Sequence, residues 1–207
     1  MHIPIFPAHG LYAITDGPRA DLIAACAAAI EGGARLLQYR DKTDDHARRR
    51  DEAVQLATLC VKHGVPLIIN DDVELAAEIG AAGVHLGKDD ADIAAARRRL
   101  GDGAIVGVSC YDSLERAGDL AAADADYFAF GAFFPSPTKP NARRATPDLM
   151  RSAKRMGKPL VAIGGITPDN AQPLIEAGAD FIAAISGVFA AMDVESAARR
   201  YAALFHK

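Results

Sequence analysis

The feature that most constrains this chain is a form that recurs eight times from end to end. Each unit is a short apolar run, a break rich in polar residues or glycine, and then an alanine-rich helical stretch. The apolar runs lie at 11–15, 36–40, 66–70, 83–86, 104–109, from 126 onward, 159–163 and 181–185. Helical stretches follow at 21–30, 44–63, 73–79, 91–100, 114–122, 147–156, 168–177 and 194–205. Ala53, Leu56, Ala57 and Cys60 sit at helical spacing, and Gly32 and Gly33 end the first helix as glycine commonly does.

Strands that are apolar throughout, alternating with helices, imply a parallel sheet covered by helices. Eight is the count that closes such a sheet, so the expected fold is α/β, a (β/α)8 TIM barrel, with residues 1–207 as a single domain. An open doubly wound sheet is the competing architecture. With 207 residues over eight units, about 26 each, most loops must be short. A long sixth loop carrying Pro135, Pro137 and Pro140 therefore stands out as functional.

The remaining composition mainly excludes. A net charge of -4 argues against a nucleic-acid partner. The runs Arg48-Arg49-Arg50 and Arg97-Arg98-Arg99 have acids nearby and read as solvated helix faces. No apolar run approaches the ~20 residues of a membrane span, and Met1 to Gly10 lacks the pattern of a secretory signal. Cys26, Cys60 and Cys110 are odd in number and widely spaced, without metal or redox spacing. A reduced, cytoplasmic setting is the resulting expectation.

A barrel places its chemistry at the C-terminal ends of the strands. Strand two ends in Gln38-Tyr39-Arg40-Asp41-Lys42, where alternation puts Gln38, Arg40 and Lys42 on one side, an amide and two cations suited to a polyanion. A simple Arg40–Asp41 pair at the rim is the alternative. Strand three ends in Asn70-Asp71-Asp72, and strand four is followed by Asp89 and Asp90. Asp71 with either of the latter would suit Mg2+, which takes one or two carboxylates plus phosphate oxygens and water. Asp72 or Asp90 could instead cap the next helix. His85 reads as a packed histidine or a support to the site. Ser109 reads as a hydrogen-bond donor to substrate, because no clear Ser–His–Asp set surrounds it, and Cys110 as structural. Gly164 and Gly165 before a helix start, with Ser186 and Gly187 after strand eight, suit a backbone cradle for phosphate. Two anion regions without a strong nucleophile favour chemistry driven by a departing phosphate group.

At this point the chain resembles the thiamine-phosphate synthase family. The resemblance runs from about Leu11 to Phe189. It rests on Leu11-Tyr12-Ala13-Ile14-Thr15-Asp16, Gln38-Tyr39-Arg40-Asp41-Lys42, Ile69-Asn70-Asp71, His85-Leu86-Gly87, Gly107-Val108-Ser109-Cys110, Phe134-Pro135-Ser136-Pro137-Thr138-Lys139-Pro140 and Ala162-Ile163-Gly164-Gly165-Ile166. It implies two small-molecule substrates, an aminopyrimidine methyl diphosphate (HMP-PP) and a hydroxyethyl thiazole phosphate, joined with loss of diphosphate. By motif, Gln38, Tyr39, Arg40, Asp41, Lys42 and Asn70 would form the pyrimidine diphosphate site. Ser109 and Lys139 would act on that substrate, and Asp71 and Asp90 would hold Mg2+. Ser136, Pro137, Thr138, Gly165, Ile185 and Ser186 would bind the thiazole phosphate. Two departures stand out: Tyr39 replaces a usual aliphatic residue, but by alternation it points away from Gln38 and Arg40, so its effect should be on packing, and Ser136 stands where threonine is common. The alternatives are a thiazole tautomerase of the same fold and a non-catalytic barrel that binds a phosphorylated ligand.

Overall fold

The eight apolar runs all become parallel strands, pairing in chain order until the last meets the first. The computed structural model describes residues 6–87, 92–122, 124–135 and 144–205. Its strands are β1 (Gly10–Ile14), β2 (Ala34–Tyr39), β3 (Leu67–Asn70), β4 (Gly83–Leu86), β5 (Ile105–Tyr111), β6 (Tyr127–Phe130), β7 (Leu160–Ile163) and β8 (Phe181–Ala184). Its helices are α1 (Leu22–Glu31), α2 (His46–His63), α3 (Val73–Ile79), α4 (Ile93–Leu100), α5 (Leu114–Ala122), α6 (Pro147–Ala153), α7 (Gln172–Glu176), α8 (Ser186–Phe189) and α9 (Val194–Ala202). Among the described residues no helix is long and apolar enough to cross a membrane.

Alternation along each strand divides the core in two. Tyr12, Ile14, Leu36, Ile68, Ile105, Tyr127, Val161 and Phe181 point into the barrel and pack together. Their neighbours, such as Leu11, Leu37, Ile69, Val106, Phe128 and Ile182, face outward beneath the helices. Phe6 closes the N-terminal end of the barrel. Its ring stacks on Tyr127 at 5.6 Å between centroids and meets Phe181 edge-on at 5.4 Å.

The helix starts follow local chemistry. Asp45, Asp72, Asp92, Thr146 and Asp193 each accept a hydrogen bond from a backbone N–H of the first turn. Asp72 thus takes the capping role expected of it. At α4 the cap is Asp92, so neither Asp89 nor Asp90 is needed there. Two other expectations change. The helix after β7 begins at Gln172 and not at 168, because Thr167 to Asn170 form a turn closed by Thr167 N–H donating to Asn170 Oδ1. A four-residue helix, α8, follows β8 directly.

The arginine runs are also less solvated than expected. Arg49 ties α2 to Asp72 at 2.8 Å, and Arg97 ties α4 to Asp126 at 2.6 Å. Both guanidinium groups are largely covered. Arg50 and Arg99 also join neighbouring units, pairing at the surface with Glu78 and Glu74 of α3.

One interior position controls the space available to a key side chain. A methyl group built on Gly107 would overlap the ring and hydroxyl of Tyr127. Gly107→Ala should therefore lower the unfolding free energy in urea by about 1–3 kcal/mol. Gly118→Ala, where an added methyl meets nothing within 4 Å on α5, should instead raise it by about 0.5–1 kcal/mol.

Candidate active site

At the C-terminal mouth of the barrel the strand ends enclose a cavity of about 250 Å3. Gln38, Arg40, Lys42, Asn70, Asp71, His85 and Ser109 supply its polar side. Ile14, Ala129, Val161, Ile163 and Ile185 supply its apolar side.

The end of β2 and the residues that follow it split by alternation. Gln38, Arg40 and Lys42 reach the cavity. Tyr39 and Asp41, grouped with the substrate site by motif, do not line it, and Tyr39 points away as alternation predicts. Tyr39 is buried in the outward-facing core and donates to Glu52 Oε2 at 2.6 Å. Asp41 lies 2.7 Å from Arg48 Nη1 and accepts from Thr43 N–H at 2.8 Å. Burial alone would raise the Asp41 pKa, but Arg48 and Thr43 outweigh it and hold the group below the usual carboxylate range. Both residues thus brace the segment against α2 and leave its other face to the cavity.

Arg40 is held from behind. Its backbone N–H donates to Thr15 Oγ1 at 2.7 Å, and Thr15 Oγ1 donates to its carbonyl at 3.0 Å. No hydrogen bond or ion pair joins its guanidinium to another described residue. The alternative of an Arg40–Asp41 rim pair is therefore not what forms.

Asp71 sits at the end of β3 with a φ of 62°, in the left-handed region. A non-glycine residue held there marks stored backbone strain, which clusters at functional sites. Its Oδ2 accepts from Asn70 Nδ2 at 2.6 Å, its Oδ1 accepts from Gly87 N–H at 3.2 Å, and Lys42 Nζ stands 3.7 Å away. Among the described residues no group of three or more His, Cys, Asp or Glu gathers, so a closed zinc-type site is not built there. A lone oriented carboxylate suits a hard cation shared with phosphate oxygens and water. Asp90 lies outside the described residues, as do Ser136, Pro137, Thr138 and Lys139.

The cavity floor holds a polar line that the sequence does not reveal. Gln38 Nε2 donates to Tyr12 Oη at 2.7 Å, and Tyr12 Oη lies 2.8 Å from Tyr127 Oη. Tyr127 Oη lies 3.0 Å from His85 Nδ1, and His85 Nε2 lies 2.9 Å from Ser109 Oγ. A serine–histidine pair therefore does exist. Burial pushes the His85 pKa down to about 4, and its far nitrogen meets a phenol, not a carboxylate. A histidine so reluctant to take a proton is a poor base at neutral pH, so Ser109 is a hydrogen-bonding group and not an activated nucleophile. Burial likewise raises the pKa of Tyr12 and Tyr127, which stay as neutral phenols.

Arg116 is a further residue the sequence reading missed. Its Nε donates to the Ser109 carbonyl at 2.8 Å and its Nη2 to the Gly87 carbonyl at 3.2 Å, joining the ends of β5 and β4. Cys110, next to Ser109, is buried with its thiol pushed up to about 12 by burial, which fits a structural role.

On the opposite side of the mouth, Gly165 has a φ of 65°, and a side chain there would strike the carbonyls of Phe134 and Pro135. The sixth and seventh loops are in backbone contact there, and only glycine fits. Helix α7 begins seven residues after Gly165, so it does not start at this contact, while Ile185, which precedes α8, lines the same cavity as Gly164. Ile185 lines the cavity and precedes α8, and Ser186 is its exposed first residue. A four-residue helix is too short to leave a periodic trace, and for that reason the pattern did not show it.

Known proteins provide an independent comparison. A sequence model of the family described as thiamine monophosphate synthase matches residues 11–188. A thiamine-phosphate synthase of Chromobacterium violaceum is 57% identical over 198 residues, covering 95% of this chain and 96% of that protein. One from Methylococcus capsulatus is 54% identical over 209 residues, covering 100% of this chain and 93% of that protein. Among solved structures, a thiamine phosphate pyrophosphorylase from Pyrococcus furiosus superposes with a TM-score of 0.86 at 32% identity, covering 95% of each chain. Shared residues along nearly the whole length, on the same closed barrel, lead to one conclusion: this chain belongs to the thiamine monophosphate synthase family.

Proposed function

We propose that this chain joins HMP-PP to the hydroxyethyl thiazole phosphate, giving thiamine phosphate and diphosphate. The observation that carries this reading is the cavity mouth. There the Arg40 guanidinium, without a partner among the described residues, stands with Lys42, Asn70 and Asp71 above a floor of hydrogen-bonding groups. Such a mouth suits a diphosphate, and such a floor suits a flat polar ring.

In this reading the pyrimidine lies on the floor against Gln38 and Ser109. Arg40 and Lys42 meet the diphosphate oxygens, Arg as a planar fork and Lys as a point charge, with Asn70 beside them. Asp71, with Asp90, would hold Mg2+, which when bound neutralises charge on the leaving diphosphate. The bond from the methylene carbon to the diphosphate oxygen breaks, and its electron pair leaves with the diphosphate. The cation left on the methylene is stabilised by the ring amine until the thiazole nitrogen attacks that carbon. The apolar side chains of Ile14, Val161, Ile163 and Ile185 keep water from competing for it. Gly165, Ile185 and Ser186, with Ser136, Pro137 and Thr138 of the sixth loop, take the thiazole phosphate. Lys139 meets the diphosphate from the same loop. Tyr39 and Asp41 support this site without touching substrate.

Purified protein given both substrates and Mg2+ should form thiamine phosphate and release diphosphate, and excess EDTA should abolish both signals until Mg2+ is restored. Absence of product at saturating substrates and metal would overturn the reading. Arg40→Ala should lower kcat/KM for HMP-PP by about 10- to 100-fold, the cost of one charge-assisted contact. Tyr39→Phe, measured in the same assay, should stay within about twofold of wild type, because it loses only the bond to Glu52.

A further inference from the structure

The buried line from Gln38 to Ser109 draws on five strands, and both of its ends open on the cavity. Its hydrogens can be counted. Each hydroxyl has one to give, and so has a neutral imidazole. Tyr12 accepts from Gln38 and is 1% exposed, so its own hydrogen goes on to Tyr127. Tyr127 is fully buried and passes its hydrogen to His85 Nδ1. The imidazole hydrogen then sits on Nε2 and goes to Ser109 Oγ. This leaves the Ser109 O–H as the loose end at the cavity.

At the other end, the Gln38 carbonyl has no partner among the described residues and is not sealed from the cavity. Turning the Gln38 amide over reverses all four links together. In either direction one end gives a hydrogen and the other takes one. A break in direction would leave a buried hydrogen without an acceptor, or two facing each other.

We propose that Tyr127 and His85 are positioning residues for Ser109. They hold its hydroxyl in a role opposite in kind to that of Gln38. The floor thereby selects a ring edge with one N–H donor and one bare ring nitrogen, as an amino-substituted N-heteroaromatic ring presents. This rests on the reading that the cavity takes the aminopyrimidine. It adds that Tyr127, which does not line the cavity, shapes recognition through the line.

The test is a double-mutant cycle read by calorimetric binding of 4-amino-5-hydroxymethyl-2-methylpyrimidine, an unphosphorylated ring that needs no metal and undergoes no turnover. Tyr127→Phe keeps the ring that stacks on His85 and removes only the hydroxyl. It should weaken binding about fivefold in the otherwise wild-type protein and by less than about twofold in the Ser109→Ala background. Thermal melting of each variant checks that it is folded. If Tyr127→Phe does not fold, His85→Phe removes the link that meets Ser109 and should show the same pattern. Equal weakening in both backgrounds, or no weakening in a folded variant, would overturn the positioning role alone. Failure of the ring to bind the wild-type protein would overturn both this role and the assignment of the cavity.

Discussion

Pairing of β8 with β1 is the contact on which the rest depends. It turns eight adjacent strands into a closed wall and brings eight strand ends to one mouth. Residues as distant in sequence as Tyr12, Asn70, Ser109 and Ile185 then border one cavity. Closure also fixes which side of each strand is inside, since alternation around a closed wall leaves only an inner and an outer face. The C-terminal end of β2 and the residues after it show the result: Gln38 and Arg40 face the cavity, while Tyr39 and Asp41 lock onto α2.

Much of this was legible in the sequence, because strand–helix alternation is a local signal that recurs at a steady interval. The strand-end residues could therefore be named before any contact was known. Gln38, Arg40, Lys42, Asn70, Asp71, Ser109 and Ile185 do border the cavity. What was not legible depends on distance or on brevity. The His85–Ser109 and Tyr12–Tyr127 pairs join residues 24 and 115 positions apart, and nothing near either partner announces the other. Helix α8 is too short to be periodic. The turn at Thr167 to Asn170 delays α7 through a side-chain bond that competes with the helix.

Tyr39 is instructive because two signals conflicted. The family motif groups it with its neighbours as a binding segment, whereas strand alternation sends it outward. The geometry follows alternation. A motif is inherited as a string, but a strand presents it on two faces, and only one of them meets the ligand. Tyr39 contributes indirectly, by way of Glu52 and Arg48, which also grips Asp41.

The space above Gly107 has a consequence for how this sequence can drift. Tyr127 occupies the volume that any side chain at 107 would need. The two positions are therefore bound as a volume pair, but the exchange is not symmetrical. A larger residue at 107 would require a smaller one at 127, and every smaller replacement removes the phenol that links Tyr12 to His85. Descendants of this chain can thus enlarge residue 107 only by giving up the hydrogen-bonded floor, so a glycine with no polar atom of its own side chain becomes as hard to replace as the groups that meet the ligand.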